Sequence, residues 1–153
     1  MAEARKTTLE ETGAWLAEMA RQMATHYEQR ASNGHLLLVR DLKAYMDEHL
    51  DEDISLDSLA ERANLTPNYV SMLFKEATNV HVGEYLTRIR LEKAAELLRN
   101  TKSTVSEISL QVGYRYSQYF SRKFKAKYGV TPLQYRQAST GERKPAPEAT
   151  ELL

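Results

Sequence analysis

The chain has no cysteine. Disulfide bridges, zinc–thiolate sites and cysteine nucleophiles are excluded with it. It also lacks any apolar run near the ~20 residues needed to span a bilayer. Its amino-terminal stretch is polar and acidic, without the basic-then-apolar order of an export signal. A cytoplasmic address with no membrane partner is therefore expected. Histidine is sparse, and His26, His35, His49 and His81 show no H-x-x-x-H spacing that would hold a metal. The acidic run Asp51-Glu52-Asp53 lacks the glycine and the spacing of a calcium loop, and reads as a solvated turn. No nucleotide-binding glycine loop and no serine-histidine-acid motif stand out. No catalytic residue, metal or cofactor is expected, and the chain is not expected to be an enzyme.

Net charge is absent too, since 21 basic residues balance 21 acidic ones. The distribution is uneven, however. Residues 102–137 hold seven basic residues and one acid, Glu107, for a local charge of +6. Residues 35–101 hold eight basic and twelve acidic residues, for −4. Screening cuts interactions off at about 10 Å in ~0.1 M salt, so the local field decides what a surface attracts.

What is present is a repeat. Tyr69-Val70-Ser71-Met72-Leu73-Phe74-Lys75 returns fifty positions later as Tyr119-Phe120-Ser121-Arg122-Lys123-Phe124-Lys125. Asn79-Val80 matches Gly129-Val130, and Tyr85 matches Tyr135. Upstream the offset is forty-nine, with Leu59, Ala63, Asn64 and Leu65 against Ile108, Val112, Gly113 and Tyr114. Two copies of a helix-turn-helix unit account for this pattern. Gly and Asn alternate at the same two places, Asn64/Gly113 and Asn79/Gly129, which predicts a left-handed backbone at all four.

The rest of the chain reads as helices, and the fold class is all-α. Residues 1–34 form an amphipathic amino-terminal helix and linker, with Leu9, Leu16 and Met23 at seven-residue steps beside Trp15, Met19, Ala20 and Tyr27. Its apolar surface either packs on the domain or pairs with a second chain as a weak homodimer. Ala31-Ser32-Asn33-Gly34 reads as a break. Residues 35–80 make the first helix-turn-helix subdomain, entered by a helix from about Leu36 to Leu50. Ser55 caps its first short helix, and Thr66-Pro67 starts the next. Residues 81–101 make a linker helix whose stripe is Val82, Tyr85, Leu86, Ile89, Ala94, Leu97 and Leu98. Its length of roughly 27 Å suits two heads in successive major grooves about 34 Å apart. Residues 102–137 make the second subdomain, opened by the T-x-x-E box of Thr104 and Glu107. Residues 138–153 lack apolar periodicity and are expected to be disordered.

These residues resemble the double helix-turn-helix, DNA-binding domain of the AraC family of transcription regulators. The likeness runs from about His35 to Gln137. It is carried by Val112-Gly113-Tyr114, Tyr119 to Lys125, and Gly129-Val130-Thr131-Pro132-Leu133-Gln134-Tyr135-Arg136, with Gly83 to Ala94 similar to the family's linker helix. The preceding helix looks like that of YesN-type response regulators of two-component systems, in which a receiver domain precedes the module. None is present here, so the chain reads as a fragment or a short member. The resemblance implies sequence-specific binding of duplex DNA and activation of transcription through RNA polymerase. Asn79 stands where glycine is usual, and Met72 where a polar or basic reader is frequent. The rival reading is a protein-interaction module with vestigial DNA binding.

Early exposed positions of a recognition helix reach base edges. They are Asn68, Ser71 and Met72 in the first head, and Ser117, Gln118, Ser121 and Arg122 in the second. Asn and Gln suit adenine, Arg suits guanine, Ser is permissive, and Met can touch a thymine methyl. Lys75, Lys123, Lys125 and Lys127, with Tyr69, are candidates for phosphate contact. Tyr116 and Tyr119 are open between packing and phosphate. Tyr114, Phe120, Phe124 and Tyr135 read as core.

Overall fold

The computed structural model describes residues 2–141, with side chains from residue 8 onward. Its helices are α1 Ala2–Glu48, α2 Leu56–Ala63, α3 Pro67–Thr78, α4 Val82–Asn100, α5 Val105–Gln111, α6 Ser117–Tyr128 and α7 Pro132–Ser139. No strand occurs among the described residues, and the fold is all-α. The described chain divides between Asp41 and Leu42 into two compact units. Helix α7 runs to Ser139 with Thr140 as its C-cap, so residues 138–140 of the tail expected to be disordered are instead ordered. Its remainder, 142–153, lies outside the described residues.

The first unit is helical throughout. The expected break is not there: α1 passes through Ala31-Ser32-Asn33-Gly34 without interruption. A helical glycine costs only about 1 kcal/mol relative to alanine, and propagation of a formed helix adds a hydrogen bond for each residue fixed. Arg30-Ala31 and Leu36-Leu37-Leu38 flank the weak stretch with good helix formers. Leu9, Trp15, Leu16, Met19, Met23 and Tyr27 are all exposed.

The second unit is built around α4. The amino-terminal half of α4 buries Val82, Tyr85 and Leu86, and Tyr85 meets Phe74 of α3 edge-on at 5.4 Å. Its carboxyl-terminal half sinks Leu91, Ala94, Ala95 and Leu98 into a core with Ile108, Val112, Tyr114, Phe120 and Phe124. One helix thus supplies a wall to each head. α2 packs on α3, α5 on α6, and α7 on both α4 and α6.

Local chemistry sets the boundaries. Ser55, Thr66, Thr104 and Thr131 each accept a backbone N–H at the start of a helix, satisfying donors that a helix end leaves orphaned. Thr104 with Glu107 forms the expected capping box. Asn64, Asn79, Gly113 and Gly129 have φ of 55°, 59°, 88° and 78°, so both heads turn left-handed at the same two places. Ser109 is buried in the second head, and its Oγ donates to the Tyr114 carbonyl at 3.0 Å, closing the α5–α6 turn.

Candidate nucleic-acid interface

Helices α3 and α6 are the second helices of the pairs α2–α3 and α5–α6, and each is twelve residues long. Each buries one face: Val70, Leu73 and Phe74 in α3, Phe120 and Phe124 in α6. The spacing i, i+3, i+4, i+7 puts Asn68, Ser71, Met72 and Lys75 on one stripe of α3. The same spacing puts Gln118, Ser121, Arg122 and Lys125 on one stripe of α6. Asn68, Met72, Gln118 and Arg122 are exposed, while Ser71, Ser117 and Ser121 are half-buried. Met72 shows 53% of its surface.

The two helix starts differ. Thr66 Oγ1 accepts from the Tyr69 N–H at 3.3 Å in the first head. At the start of α6 stands Tyr116, which makes no side-chain cap and leaves its ring 69% exposed. The first-turn N–H groups of α6 therefore have no side-chain acceptor at Tyr116. Tyr69 is half-buried and Tyr119 is exposed.

The basic residues separate into two sets. Arg122 and Lys123 flank the Tyr119 ring at 5.7 and 5.4 Å, where a ring face attracts cations. Lys125 and Arg115 are exposed, and neither side chain has a hydrogen bond or ion pair among the described residues. Lys127 is committed elsewhere: its Nζ lies 3.2 Å from Glu92 Oε1 and donates to the Arg88 carbonyl at 3.4 Å. Lys75 Nζ donates to the Asn79 carbonyl at 2.9 Å and closes the end of α3.

A helix-turn-helix domain family matches residues 59–138. The TetD protein of transposon Tn10 from Escherichia coli is 38% identical over 102 residues, covering 67% of this chain and 74% of TetD. The chain belongs to the AraC family of DNA-binding transcription regulators. Among solved structures, the C-terminal domain of AraT, a response regulator from Geobacillus stearothermophilus, is 37% identical with a TM-score of 0.64. That match covers 75% of this chain and 93% of the AraT domain. The DNA-binding domain of AdpA, solved in complex with a target DNA, is 25% identical with a TM-score of 0.65, over 71% of this chain and 97% of that one.

In this AraC-type module, arginines that sequence reasoning passed over do the framing. Arg136 of α7 donates from Nε to the Leu98 carbonyl at 3.1 Å and from Nη2 to the Thr101 carbonyl at 3.3 Å, closing the end of α4. Arg99 Nη1 donates to the Tyr135 hydroxyl at 2.5 Å. Arg90 of α4 donates to the Leu50 and Glu52 carbonyls. Burial lowers its pKa, with Tyr114 and Asp53 opposing the shift. Burial likewise raises the Tyr114 pKa, against the pull of the Arg90 charge. Arg115 was legible only as part of the +6 segment, because its free position at the α5–α6 turn is a tertiary fact. Among the described residues, no helix is long and apolar enough to cross a membrane.

Proposed function

We propose that α3 and α6 enter successive major grooves of duplex DNA and read two half-sites. The observation that carries this reading is the doubled exposed stripe, Asn68-Ser71-Met72-Lys75 and Gln118-Ser121-Arg122-Lys125, on two helices of equal length joined by α4. Gln118 and Asn68 have the donor–acceptor pair that adenine requires, Arg122 the fork that guanine requires, and Met72 an apolar tip for a thymine methyl. Ser71, Ser117 and Ser121, half-buried, make permissive contacts. Lys123, Lys125, Arg115, Tyr69, Tyr116 and Tyr119 contact phosphates, and the first-turn N–H groups of α6 add to them. Lys75 and Lys127 serve the protein's own helices first.

The protein acts by binding in the cytoplasm and performs no catalysis of its own. It activates transcription by presenting a surface to RNA polymerase at the bound site, and it forms a weak homodimer through the exposed stripe of α1. Selection of bound sequences from random duplexes, followed by footprinting, tests the reading. Two protected half-sites about 10 base pairs apart are expected. A single half-site, or recovery of unrelated sequences, would sink it.

A further inference from the structure

The two heads approach closely at the α5–α6 turn. A Cβ built on Gly113, in the α5–α6 turn of the second head, would overlap the Leu50 carbonyl oxygen just past the end of α1, and would stand 2.7 Å from the Arg90 guanidinium carbon. Gly113 has φ of +88°, so glycine is required there twice over, for backbone and for space. Arg90 reaches into the same place from the middle of α4. Its Nε donates to the Leu50 carbonyl at 3.1 Å and its Nη2 to the Glu52 carbonyl at 2.8 Å. Its guanidinium lies 5.8 Å from the Tyr114 ring centroid. Leu50 and Glu52 belong to the first head, Gly113 and Tyr114 to the second. One planar, permanently charged fork therefore holds two carbonyls of one head while its charge lies over the ring of the other, a task that lysine's point charge cannot reproduce.

We propose that Arg90 is a positioning residue that fixes the separation and angle of the two recognition helices, and so sets the half-site spacing the protein accepts. The inference rests on the two-groove reading above. Arg136 provides an internal contrast. It makes a similar pair of carbonyl bonds, to Leu98 and Thr101, but these join α7 to the carboxyl-terminal end of α4, on the second head's side of the linker. Its loss loosens one head without altering the distance between them.

Duplexes carrying the selected sequence, with one base pair inserted or removed between half-sites, provide the test. One base pair moves a half-site by about 3.4 Å and a tenth of a turn. The wild-type protein is expected to bind the altered duplexes about tenfold more weakly. Arg90→Lys is expected to shrink that penalty to about threefold or less while affinity for the native spacing falls only a few-fold. Arg136→Lys is expected to keep the wild-type spacing profile. A full penalty retained in Arg90→Lys overturns the proposal. So does a wild-type protein that binds its selected site and is indifferent to spacing, and that result leaves the DNA reading standing. Failure of the wild type to select any duplex sinks the DNA reading itself. A second measurement needs no DNA. The chain has no native cysteine, so spin labels on Ala77→Cys and Ala126→Cys, both exposed, report the distance between α3 and α6. A single narrow distance in the wild type, broadened in Arg90→Lys, is expected. A broad distribution in the wild type overturns the clamp.

Discussion

Lys127 Nζ stands 3.2 Å from Glu92 Oε1, tying the last basic residue of the second recognition helix to α4. The neighbouring Lys125 has no such tie among the described residues. The two lysines, alike in sequence, are therefore expected to differ in DNA binding. Each phosphate contact contributes about −0.9 to the slope of log affinity against log salt. Lys125→Ala and Lys123→Ala should each flatten that slope by about this amount. Lys127→Ala should leave it unchanged and cost under about 1 kcal/mol of stability, as a half-exposed pair does. Titrations at several salt concentrations check this. An equal flattening in Lys127→Ala would show that Lys127 leaves Glu92 for a phosphate.

The two left-handed glycines of the second head should respond differently to substitution. Nothing lies within 4 Å of a Cβ on Gly129, whereas one on Gly113 meets Leu50 and Arg90. Gly129→Ala should cost about 1–2 kcal/mol from the backbone alone. Gly129→Asn should cost less, because Asn79 holds the matching position in the first head at φ 59°. Gly113→Ala should exceed both, at roughly 3 kcal/mol or more, since strain and overlap add. Urea unfolding of the three variants ranks them. Equal losses at the two sites would contradict the close approach of Leu50.

These contrasts mark where residue type alone stops being informative. The turns at Asn64, Asn79, Gly113 and Gly129 were legible because few residues tolerate positive φ, and the caps at Thr66 and Thr104 because few side chains bond a helix's first N–H groups. Phe120 and Phe124 were legible as core from their four-residue spacing. The continuity of α1 was not, because Ser32, Asn33 and Gly34 are poor helix residues only in isolation, and neighbours carry the helix through them. Lys127 was indistinguishable from Lys125, since its partner Glu92 lies 35 positions earlier. Arg90 was invisible for a related reason. It bonds backbone carbonyls 40 and 38 positions away, and a carbonyl leaves no signature in the sequence.

The exposed stripe of α1 predicts concentration-dependent self-association. Leu9, Trp15, Leu16 and Met23 each show 59–72% of their surface. Glu10, Glu11, Glu18, Arg21 and Glu28 lie off the Leu9-Leu16-Met23 line, so pairing two stripes buries little charge. Three heptads are marginal for an isolated coiled coil, so the dimer should be weak. Sedimentation over a wide concentration range should show monomer giving way to dimer, and Leu16→Glu should abolish the change. Trp15 is the only tryptophan, so its emission should shift to the blue as dimer forms. A strict monomer at all concentrations would remove the idea.

The two heads should be unequal readers. Arg122 of α6 and Met72 of α3 occupy matching positions of the repeat, and both are exposed. The second head lies in the +6 segment and the first in the −4 segment. One bidentate guanine contact is therefore available to α6 and absent from α3. Such a contact contributes about 1–3 kcal/mol of discrimination between bases. Arg122→Ala should weaken specific binding by that amount and relax one base position in the second half-site. Asn68→Ala should cost less, because its helix sits in the weaker field. Met72→Ala should act only through a thymine methyl, at well under about 1 kcal/mol. Matched titrations at fixed salt, on the selected duplex and on single-base variants of each half-site, provide the comparison. The second half-site should prove the more stringent. If the first is more stringent, or Met72→Ala costs more than Arg122→Ala, the charge and side-chain difference between α3 and α6 does not govern recognition.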